Sequence, residues 1–171
     1  MISSKNSLLQ DSLLAYYDNK MNMTTFVEIL HEKSLVSLRM IDWFVTKYAK
    51  NHKIQYNVNG KPFSVFHNYK AQLKAYSKKQ IDPFCRRERI ILSKHGHEII
   101  TTLGQMNFFR WAIENHILKY IYENYDVLEK HMKEDSRNRI LTKKKKKKKD
   151  TVVDTKKTFT KTNHPTIISF D

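Results

Sequence analysis

The scarcity of glycine and proline most narrows what this chain can fold into. It has three glycines and three prolines in 171 residues. Sheets of many strands joined by tight turns normally need more of both residues, so the composition favours a helix-rich fold. Gly60 and Gly96 lie between stretches of alternating apolar residues, and Gly104 lies where a helical pattern begins. We therefore expect two hairpins within an otherwise helical chain.

Both hairpins are indicated by their turns. Apolar residues alternate over residues 54–58 and lead into Asn59-Gly60, the dipeptide that most strongly indicates a two-residue hairpin turn. The alternation resumes after Pro62, which would either place the second strand at a sheet edge or delay its start. The stretches RRERIILS and EIITTLG predict the second hairpin, with Gly96 in its turn. We expect the two hairpins to join in one antiparallel sheet of three or four strands.

Four stretches have apolar residues at helical spacing. Residues 7–20 predict a short amphipathic helix, followed by a break at residues 24–25, where a threonine would cap the next helix. Ser34 is the expected N-cap of a stronger helix. Residues 66–78 have helical spacing, although an extended conformation stays open there. Residues 105–135 predict one long amphipathic helix rich in aromatic side chains.

Together these patterns predict an α+β fold: a small antiparallel sheet of two hairpins packed against amphipathic helices. We expect an N-terminal helical segment at residues 1–23, an α+β domain at residues 24–135 and a disordered Lys-rich tail at residues 136–171. The tail is assigned to disorder because seven consecutive ammonium groups cannot pack into a core. A chain of this length buries a core without disulfides or a structural metal, and we expect no cofactor.

The cellular compartment is indicated by what the sequence lacks. Cys85 is the single cysteine, which excludes an internal disulfide framework and indicates a reducing compartment. No run approaches the roughly 18 apolar residues of a membrane span. The N-terminus has neither the pattern of a secretory signal nor the glycine needed for myristoylation. The expectation is a soluble intracellular protein without membrane contact.

The net charge of +15 is concentrated in two zones. Residues 61–94 carry nine basic residues against two acids, whereas the rest of residues 1–135 is close to neutral. Residues 136–171 carry twelve basic residues against three acids. A basic tail is compositionally common and is weak evidence alone. A local excess inside an otherwise balanced domain is better evidence for an anionic partner.

The basic zone of the body interleaves cations with aromatic side chains, a combination that suits phosphate contact and base stacking. The aromatic residues are Phe63, Tyr69, Tyr76 and Phe84. Three of its lysines recur every four residues, which predicts that they share one helix face. The alternative is that the aromatics form core and the cations form a solvated face, and it is favoured for Tyr69 and Leu73. The candidate nucleic-acid-binding residues here are Lys70, Lys74, Lys78, Lys79, Arg86, Arg87 and Arg89.

The run of seven lysines in the tail has three interpretations: an inert solvated tail, a nuclear localisation signal or an arm that contacts nucleic acid. An arm that neutralises several phosphates releases counterions. Its affinity is then independent of sequence and falls steeply with salt. The candidate residues of the tail are Lys143, Lys144, Lys145, Lys146, Lys147, Lys148 and Lys149.

Catalytic and metal sites are only weakly indicated. Nearby arginines would favour a reactive thiolate at Cys85, but no glycine-rich cradle surrounds it, so a structural cysteine is favoured. His95 and His97 are too close in sequence for a usual zinc pair. Asp82 and Glu88 flank arginines and are expected to pair with them rather than to act in acid–base chemistry. We therefore expect no catalytic and no metal-ligating residues.

Three stretches resemble a known family: SLRMIDWFVTKYAK, YKAQLKAYSKKQIDPFCRRERI and TTLGQMNFFRWAIENHILKYI. They are similar to a small uncharacterised protein family of nucleocytoplasmic large DNA viruses, the giant viruses with mimivirus-like members. The resemblance covers residues 34–124 and carries no assigned catalytic residues. It implies a viral protein made in the host cytoplasm or packaged in the virion, where a DNA-condensing or capsid-facing basic protein would fit.

Two functions are consistent with these patterns. The first is a non-enzymatic basic protein that contacts nucleic acid non-specifically through its phosphates, in a viral particle or at a viral replication or transcription site. The alternative is a structural interaction protein, such as a minor virion component, that binds acidic viral protein. An enzyme built on Cys85 or a histidine is the least favoured. We expect the host cytoplasm or the virion as location, or the nucleus through the tail, and leave the oligomeric state open.

Overall fold

The computed structural model describes residues 4–31 and 34–156, with side chains for residues 6–31 and 34–144. The described residues fall into two units, one ending at Lys130 and one beginning at His131. The elements, in chain order, are α1 (Ser4–Tyr16), α2 (Lys20–Leu30), α3 (Leu38–Trp43), a π-helical turn (Phe44–Tyr48), α4 (Ala49–Asn51), β1 (Gln55–Val58), β2 (Lys61–Ser64), α5 (Val65–Ala75), β3 (Ile90–Lys94), β4 (His97–Thr101), α6 (Leu103–Glu114), α7 (Ile117–Glu123) and α8 (Tyr125–Lys156). The predicted α+β fold is confirmed.

Both predicted hairpins are present, and the turn of each has two residues in the left-handed region. Asn59 and Gly60 have φ angles of 50° and 76°, and β1 and β2 pair antiparallel on either side of them. His95 and Gly96 repeat this pattern between β3 and β4, with φ angles of 52° and 76°. Positive φ at both central residues is the mark of a type I′ turn, whose twist matches that of the strands it joins.

The prediction of a single sheet is wrong, because each hairpin forms its own two-stranded sheet. Pro62 removes a backbone donor from β2. The second hairpin docks instead where α1 meets α2. There the Lys94 ammonium pairs with Asp18 and donates to the Leu14 carbonyl at 3.1 Å, and His95 Nε2 donates to the Asp18 carbonyl at 2.7 Å.

The N-terminal helices divide at Asn19 rather than at the predicted break at residues 24–25. The Asn19 side chain accepts hydrogen bonds from the amides of Met21 and Asn22 at 2.9 and 3.3 Å, which caps α2. Leu13 of α1 is fully buried, and so is Tyr17, the residue after α1, whose hydroxyl donates to the Met106 carbonyl of α6 at 2.8 Å. Within the first unit, α1 is therefore part of the core packing.

The N-cap of α3 is Ser37 instead of the predicted Ser34. Ser37 Oγ accepts the Met40 amide at 3.2 Å, whereas Ser34 Oγ accepts the Val36 amide at 3.1 Å in the turn before the helix. Two serines three residues apart both suit such a local hydrogen bond, so the sequence alone favours neither. The helical path from α3 to α4 follows the predicted pattern.

The core of the first unit is built around α6, where eight of twelve residues are buried. Phe109 lies 5.2 Å from Phe26 of α2, and Trp111 lies 5.3 Å from Tyr69 of α5, measured between ring centroids. Such offset aromatic pairs add about 0.5–1.5 kcal/mol each beyond the area they bury. The aromatic load of α6 therefore holds the surrounding helices in place.

The predicted long helix at residues 105–135 is three helices. His116 has a left-handed φ of 55°, which ends α6. The side chains of Asn115 and Asn124 donate to the carbonyls four residues earlier, Trp111 and Tyr120, at 2.8 and 2.9 Å. Side-chain amides that take backbone carbonyls compete with the helical ladder, so the apolar pattern continues across these breaks while the backbone does not.

The backbone of α8 continues past Ser136, the residue at which the sequence predicted disorder to begin, and stays helical to Lys156. Lysine and arginine have favourable helix propensities even where their side chains cannot pack. Residues 157–171 lie outside the described residues. None of the helices in the described part is long and apolar enough to cross a membrane.

Candidate nucleic-acid interface

Residues 76–89, called the basic segment below, connect α5 to β3 without regular structure and carry five of the predicted contact residues. Three hydrogen bonds fix this segment to α6. The Asp82 amide donates to the Gly104 carbonyl at 3.1 Å, Gln105 Nε2 donates to the Pro83 carbonyl at 3.0 Å, and Asn107 Nδ2 donates to the Gln80 carbonyl at 2.8 Å. The segment is therefore held on a buried helix although it has no secondary structure of its own.

Gly104 permits this close contact. A Cβ atom at this position would lie 2.9 Å from the Lys79 carbonyl oxygen and 3.5 Å from the amide nitrogens of Ile81 and Asp82. The first distance is too short for a side chain, so backbone would have to move. The glycine that the sequence placed at the start of a helix is thus needed for the approach of α6 to the basic segment.

Arg86 is bound to Asp82 within the segment. The guanidinium donates from Nε to Oδ2 at 3.0 Å and from Nη2 to Oδ1 at 2.8 Å, and it lies 5.0 Å from the centroid of the Phe84 ring. Asp82 Oδ1 also accepts the Phe84 amide at 3.0 Å. The hydrogen bonds and charge of Asp82 raise the pKa of Arg86. The predicted pairing of Asp82 with an arginine is confirmed, whereas Glu88 forms no ion pair within the described residues. Asp82 binds the Nε–Nη2 edge of the guanidinium, one of the two edges that can take a pair of oxygens.

The pair also affects two neighbours. Burial raises the pKa of Asp42, the charge of Arg86 opposes this, and the charge of Asp82 adds to it. Burial, assisted by Asp42 and Asp82, raises the pKa of Tyr69 to about 12. Two carboxyl groups, Asp82 and Asp42, therefore attract the Arg86 guanidinium, and this attraction favours its position beside Asp82.

The three lysines predicted on one helix face are not all on a helix. Lys70 and Lys74 lie on α5, but α5 ends at Ala75 because Tyr76 is extended, with φ −112° and ψ 137°. Lys78 therefore lies in the turn that follows. The predicted sharing of one face holds for Lys70 and Lys74 alone.

Lys50 is a basic residue that the sequence did not single out. Its ammonium lies 5.6 Å from the centroid of the Phe66 ring, and the Lys70 ammonium lies at the same distance from that ring. Two cations thus share one aromatic side chain where α4 and α5 pack. Residues twenty apart have no local pattern in common, so only the packing of these helices connects them.

The charge of the segment is largely uncompensated. All seven predicted residues of the body are exposed. Arg86 has its ion pair with Asp82, whereas the other six form none within the part of the chain whose side chains are described. The six are Lys70, Lys74, Lys78, Lys79, Arg87 and Arg89.

Lys79 and Arg87, from the two ends of the basic segment, meet in a cleft of about 400 Å³. Asn6 and Gln10 of α1 line it from another side, and Gln80 Nε2 donates to Asn6 Oδ1 at 2.7 Å. The remaining lining residues are Ser77, Glu88, Ile90, Thr102 and Leu103. Sequence analysis missed this cleft because its two walls are about seventy residues apart in the chain.

The aromatic side chains proposed for base stacking divide into two groups. Tyr69 and Phe63 are 8% and 7% exposed and belong to the core. The core alternative is therefore correct for Tyr69, as expected. Tyr76 and Phe84 are half-buried, and Phe84 has its ring against Arg86.

In the tail, Lys143 and Lys144 are exposed on α8. The backbone of the other predicted lysines, Lys145, Lys146, Lys147, Lys148 and Lys149, belongs to α8, and their side chains lie outside the described residues.

Cys85 lines a second, smaller cavity of about 230 Å³ together with His31 and Gln105. Leu30, Leu38, Ile99 and Ile100 also line it, so apolar side chains surround the polar groups of these three residues. Within the described residues, no cluster of three or more histidine, cysteine, aspartate and glutamate side chains has the arrangement of a metal site.

Comparison with known proteins places the chain among viral proteins. It is 39% identical over 123 residues to "Uncharacterized protein L507" of Acanthamoeba polyphaga mimivirus. The aligned region covers 66% of this chain and 48% of the relative, so the chain spans about half the length of the curated relative it matches. No solved structure matches the chain.

The family is defined over nearly the whole sequence. Residues 2–171 match DUF7197, a family of unknown function. This match includes the tail, which the resemblance noted in the sequence had left out. The expected relationship to an uncharacterised giant-virus family is confirmed, and the chain belongs to the DUF7197 family.

Proposed function

We propose that this protein contacts nucleic acid through phosphates, without catalysing a reaction, in the host cytoplasm or in a viral particle. The body supplies the contact through α5 and the basic segment. The tail adds affinity that is independent of sequence, and its lysine run would also serve nuclear import if the protein enters the nucleus. The viral setting is taken from the mimivirus relative.

The observation that carries this proposal is the uncompensated charge of the body. Six exposed cations lie between Lys70 and Arg89 and form no ion pair among the described residues. The basic segment is nevertheless held on α6 by hydrogen bonds, so its cations cannot simply move apart. Like charges held near one another repel unless an anion relieves them. A row of phosphates would do so, with release of counterions.

Arg86 has a different role in this proposal from the one expected from sequence. One edge of its guanidinium is bound to Asp82, so we assign it mainly to holding the turn at residues 82–86. Arg87 and Arg89 remain as the arginines that contact phosphate. Arginine suits that contact because its planar fork binds two oxygens at once.

Binding of the full chain to fluorescent DNA and RNA, duplex and single-stranded, tests the proposal across a salt series. We expect affinity to fall linearly on a log–log plot between about 50 and 200 mM salt. The triple variant Lys70→Ala, Lys74→Ala and Lys78→Ala should weaken binding to all sequences and lower the slope by about 1 for each phosphate that is no longer neutralised. Replacing Lys143–Lys149 with glutamine should lower the slope further.

A matched control removes the same charge elsewhere. Lys20, Lys119 and Lys130 are exposed and lie outside α5 and the basic segment. Their triple alanine variant should change the slope much less than the α5 variant. Equal effects of the two triple variants would show that net charge alone drives binding. Absence of binding at low salt would refute the proposal.

An interaction protein is the second candidate, and one observation favours it. Ile91 and Ile100 pair across the β3–β4 hairpin and are 70% and 62% exposed, so the outer face of this sheet carries an exposed apolar pair beside Ser93 and Glu98. Exposed apolar pairs of this kind occur at protein interfaces. Sedimentation of the full chain with acidic proteins from the virus would favour this function if it detects a complex and nucleic acid does not bind.

A further inference from the structure

We propose that the cleft between α1 and the basic segment receives a single unpaired nucleotide of a nucleic-acid strand. The inference rests on the proposed contact with nucleic acid and goes beyond it, because it assigns a preference for unpaired over duplex strands to a defined site. Every described residue that lines the cleft belongs to the first unit.

The dimensions of the cleft fit one small ligand. Its volume of about 400 Å³ lies within the roughly 300–1,000 Å³ that is typical of small-ligand sites. It is open to solvent along the basic segment, where Arg87 and Lys79 are exposed. A nucleotide that enters there can stay attached to a strand that follows the outer cations.

The lining provides each kind of contact that a nucleotide needs. Lys79 and Arg87 are the cations that would bind its phosphate, and neither forms an ion pair within the described residues. Ile90 and Leu103 provide apolar surface against which a base can lie. Gln10 offers both a donor and an acceptor to the base edge.

Glu88 sets the orientation. Among the described lining residues it is the single acid, against two cations. A carboxylate repels phosphate and accepts hydrogen bonds from hydroxyl or amino groups. The phosphate is therefore directed to Lys79 and Arg87, and the sugar hydroxyl or base amine to Glu88.

The walls of the cleft are built to keep their positions. Gln80 is hydrogen-bonded to Asn6 at 2.7 Å on one side and, through its carbonyl, to Asn107 of α6 at 2.8 Å. Thr102 caps α6 by accepting the Gln105 amide at 3.1 Å. A cleft with fixed walls costs little to order on binding, and a base inside a duplex is stacked and cannot enter it.

The test fills the cleft without changing its charge. Ser77 lines the cleft and is exposed, so Ser77→Phe adds an aromatic ring to the opening. The matched control is Ser93→Phe, which adds the same ring to an exposed serine on β3, outside the cleft. Affinities of the full chain are measured for a fluorescent single strand and for the duplex of the same sequence, at one salt concentration.

We expect the native chain to bind the single strand about tenfold more tightly than the duplex, equivalent to about 1.4 kcal/mol. Ser77→Phe should remove most of that difference and leave duplex binding unchanged, whereas Ser93→Phe should alter neither. Equal affinity of the native chain for both forms, or retention of the preference in Ser77→Phe, would overturn the inference. If the native chain still binds the duplex, either of these outcomes leaves the proposed phosphate contact standing. If the native chain binds neither form, both the proposed function and this inference are refuted.

A free nucleotide has the same chemistry as a nucleotide within a strand, and adenosine monophosphate separates the two. The inference predicts that this nucleotide competes more strongly with the single strand than with the duplex, and binds at least tenfold more weakly than the strand. Adenosine without phosphate should compete less, because Lys79 and Arg87 then lack their partner. Binding of the free nucleotide as tightly as the strand would assign the cleft to soluble nucleotides and overturn its part in strand contact.

Discussion

Asp82 and Arg86 show how one pair of side chains fixes a segment that lacks secondary structure. Asp82 is 7% exposed and accepts hydrogen bonds from Arg86 and from the Phe84 amide, whereas the Arg86 side chain is 65% exposed. The pair gains little from exposed charge attraction. Its importance lies in the carboxylate, which is nearly buried and needs its donors.

Arg86→Ala should therefore destabilise the protein by about 1–3 kcal/mol, because it leaves the Asp82 carboxylate without two of its hydrogen bonds. Arg87→Ala, at the next residue, removes an exposed arginine that forms no ion pair within the described residues and should change stability by less than about 0.5 kcal/mol. Urea unfolding of both variants measures the difference. Equal losses would contradict a structural role for Arg86.

Gly104→Ala tests the close approach of α6 to the basic segment. Its Cβ would lie 2.9 Å from the Lys79 carbonyl oxygen, so the backbone of the segment must shift, at a cost of about 1–3 kcal/mol. The shift should also displace Lys79 and weaken binding of single strands. Gly96→Asn is the control, because no atom lies within 4 Å of the position that a Cβ would take at Gly96 and because asparagine tolerates the positive φ there. A stable Gly104→Ala variant would show that the segment moves freely.

At the scale of the element, the β3–β4 hairpin has two faces of similar composition and opposite surroundings. Leu92 and Ile99 pair on the inner face and are 2% and 4% exposed. Ile91 and Ile100 pair on the outer face and are largely exposed. Alternation along a strand explains the division, but apolar residues on both faces give the sequence no preference for either face.

Leu92→Ala should lower the free energy of unfolding by about 2–5 kcal/mol, because it opens a cavity under the hairpin. Ile91→Ala, on the same strand, should change it by less than about 0.5 kcal/mol, because the side chain is already in water. Thermal or urea unfolding of the two variants measures the contrast. A large loss for Ile91→Ala would indicate that another surface of the protein covers the outer face.

The hairpins also show which parts of the fold could be predicted from sequence. Their turns were predicted correctly because positive φ at Asn59-Gly60 and Gly96 is a local preference of those residues. Their separation into two sheets was not predicted, because it depends on the docking of Lys94 and His95 at Asp18, far away in the sequence. The spacing of apolar residues was enough to predict which stretches are helical. The residues at which the helices begin and end depend on side-chain hydrogen bonds that several nearby residues could make.

The candidate site likewise has features that could be predicted from the sequence and features that could not. Its cations are visible as a charge excess, and their exposure on α5 and the basic segment agrees with the expectation from sequence. The pairing of Arg86 with Asp82, four residues earlier, was also predictable, since both are local. The contribution of Asn6 and Gln10 to the cleft and of Lys50 to the Phe66 ring comes from tertiary packing alone.

For the molecule as a whole, buried tyrosines make the stability of the fold depend on pH. Burial raises the pKa of five tyrosine side chains above the ordinary value of 10.0, and it is the largest cause for each. For Tyr16 and Tyr69 the pKa rises to about 12. The five tyrosines are Tyr16, Tyr17, Tyr56, Tyr69 and Tyr120. The folded protein therefore favours the neutral phenol over the phenolate at these five positions.

The protein should consequently lose stability as the pH rises above about 10. In that range the unfolded chain releases phenolic protons while the folded chain retains them, so the unfolded state binds fewer protons and becomes favoured. The stabilisation is fully present below pH 10 and is lost progressively toward pH 12.

Tyr69→Phe keeps the buried ring and removes one of these protons. Its stability relative to the native chain should therefore be higher at about pH 11 than at about pH 8, measured by urea unfolding followed by circular dichroism. An equal relative stability at the two pH values would contradict burial of Tyr69 as the cause.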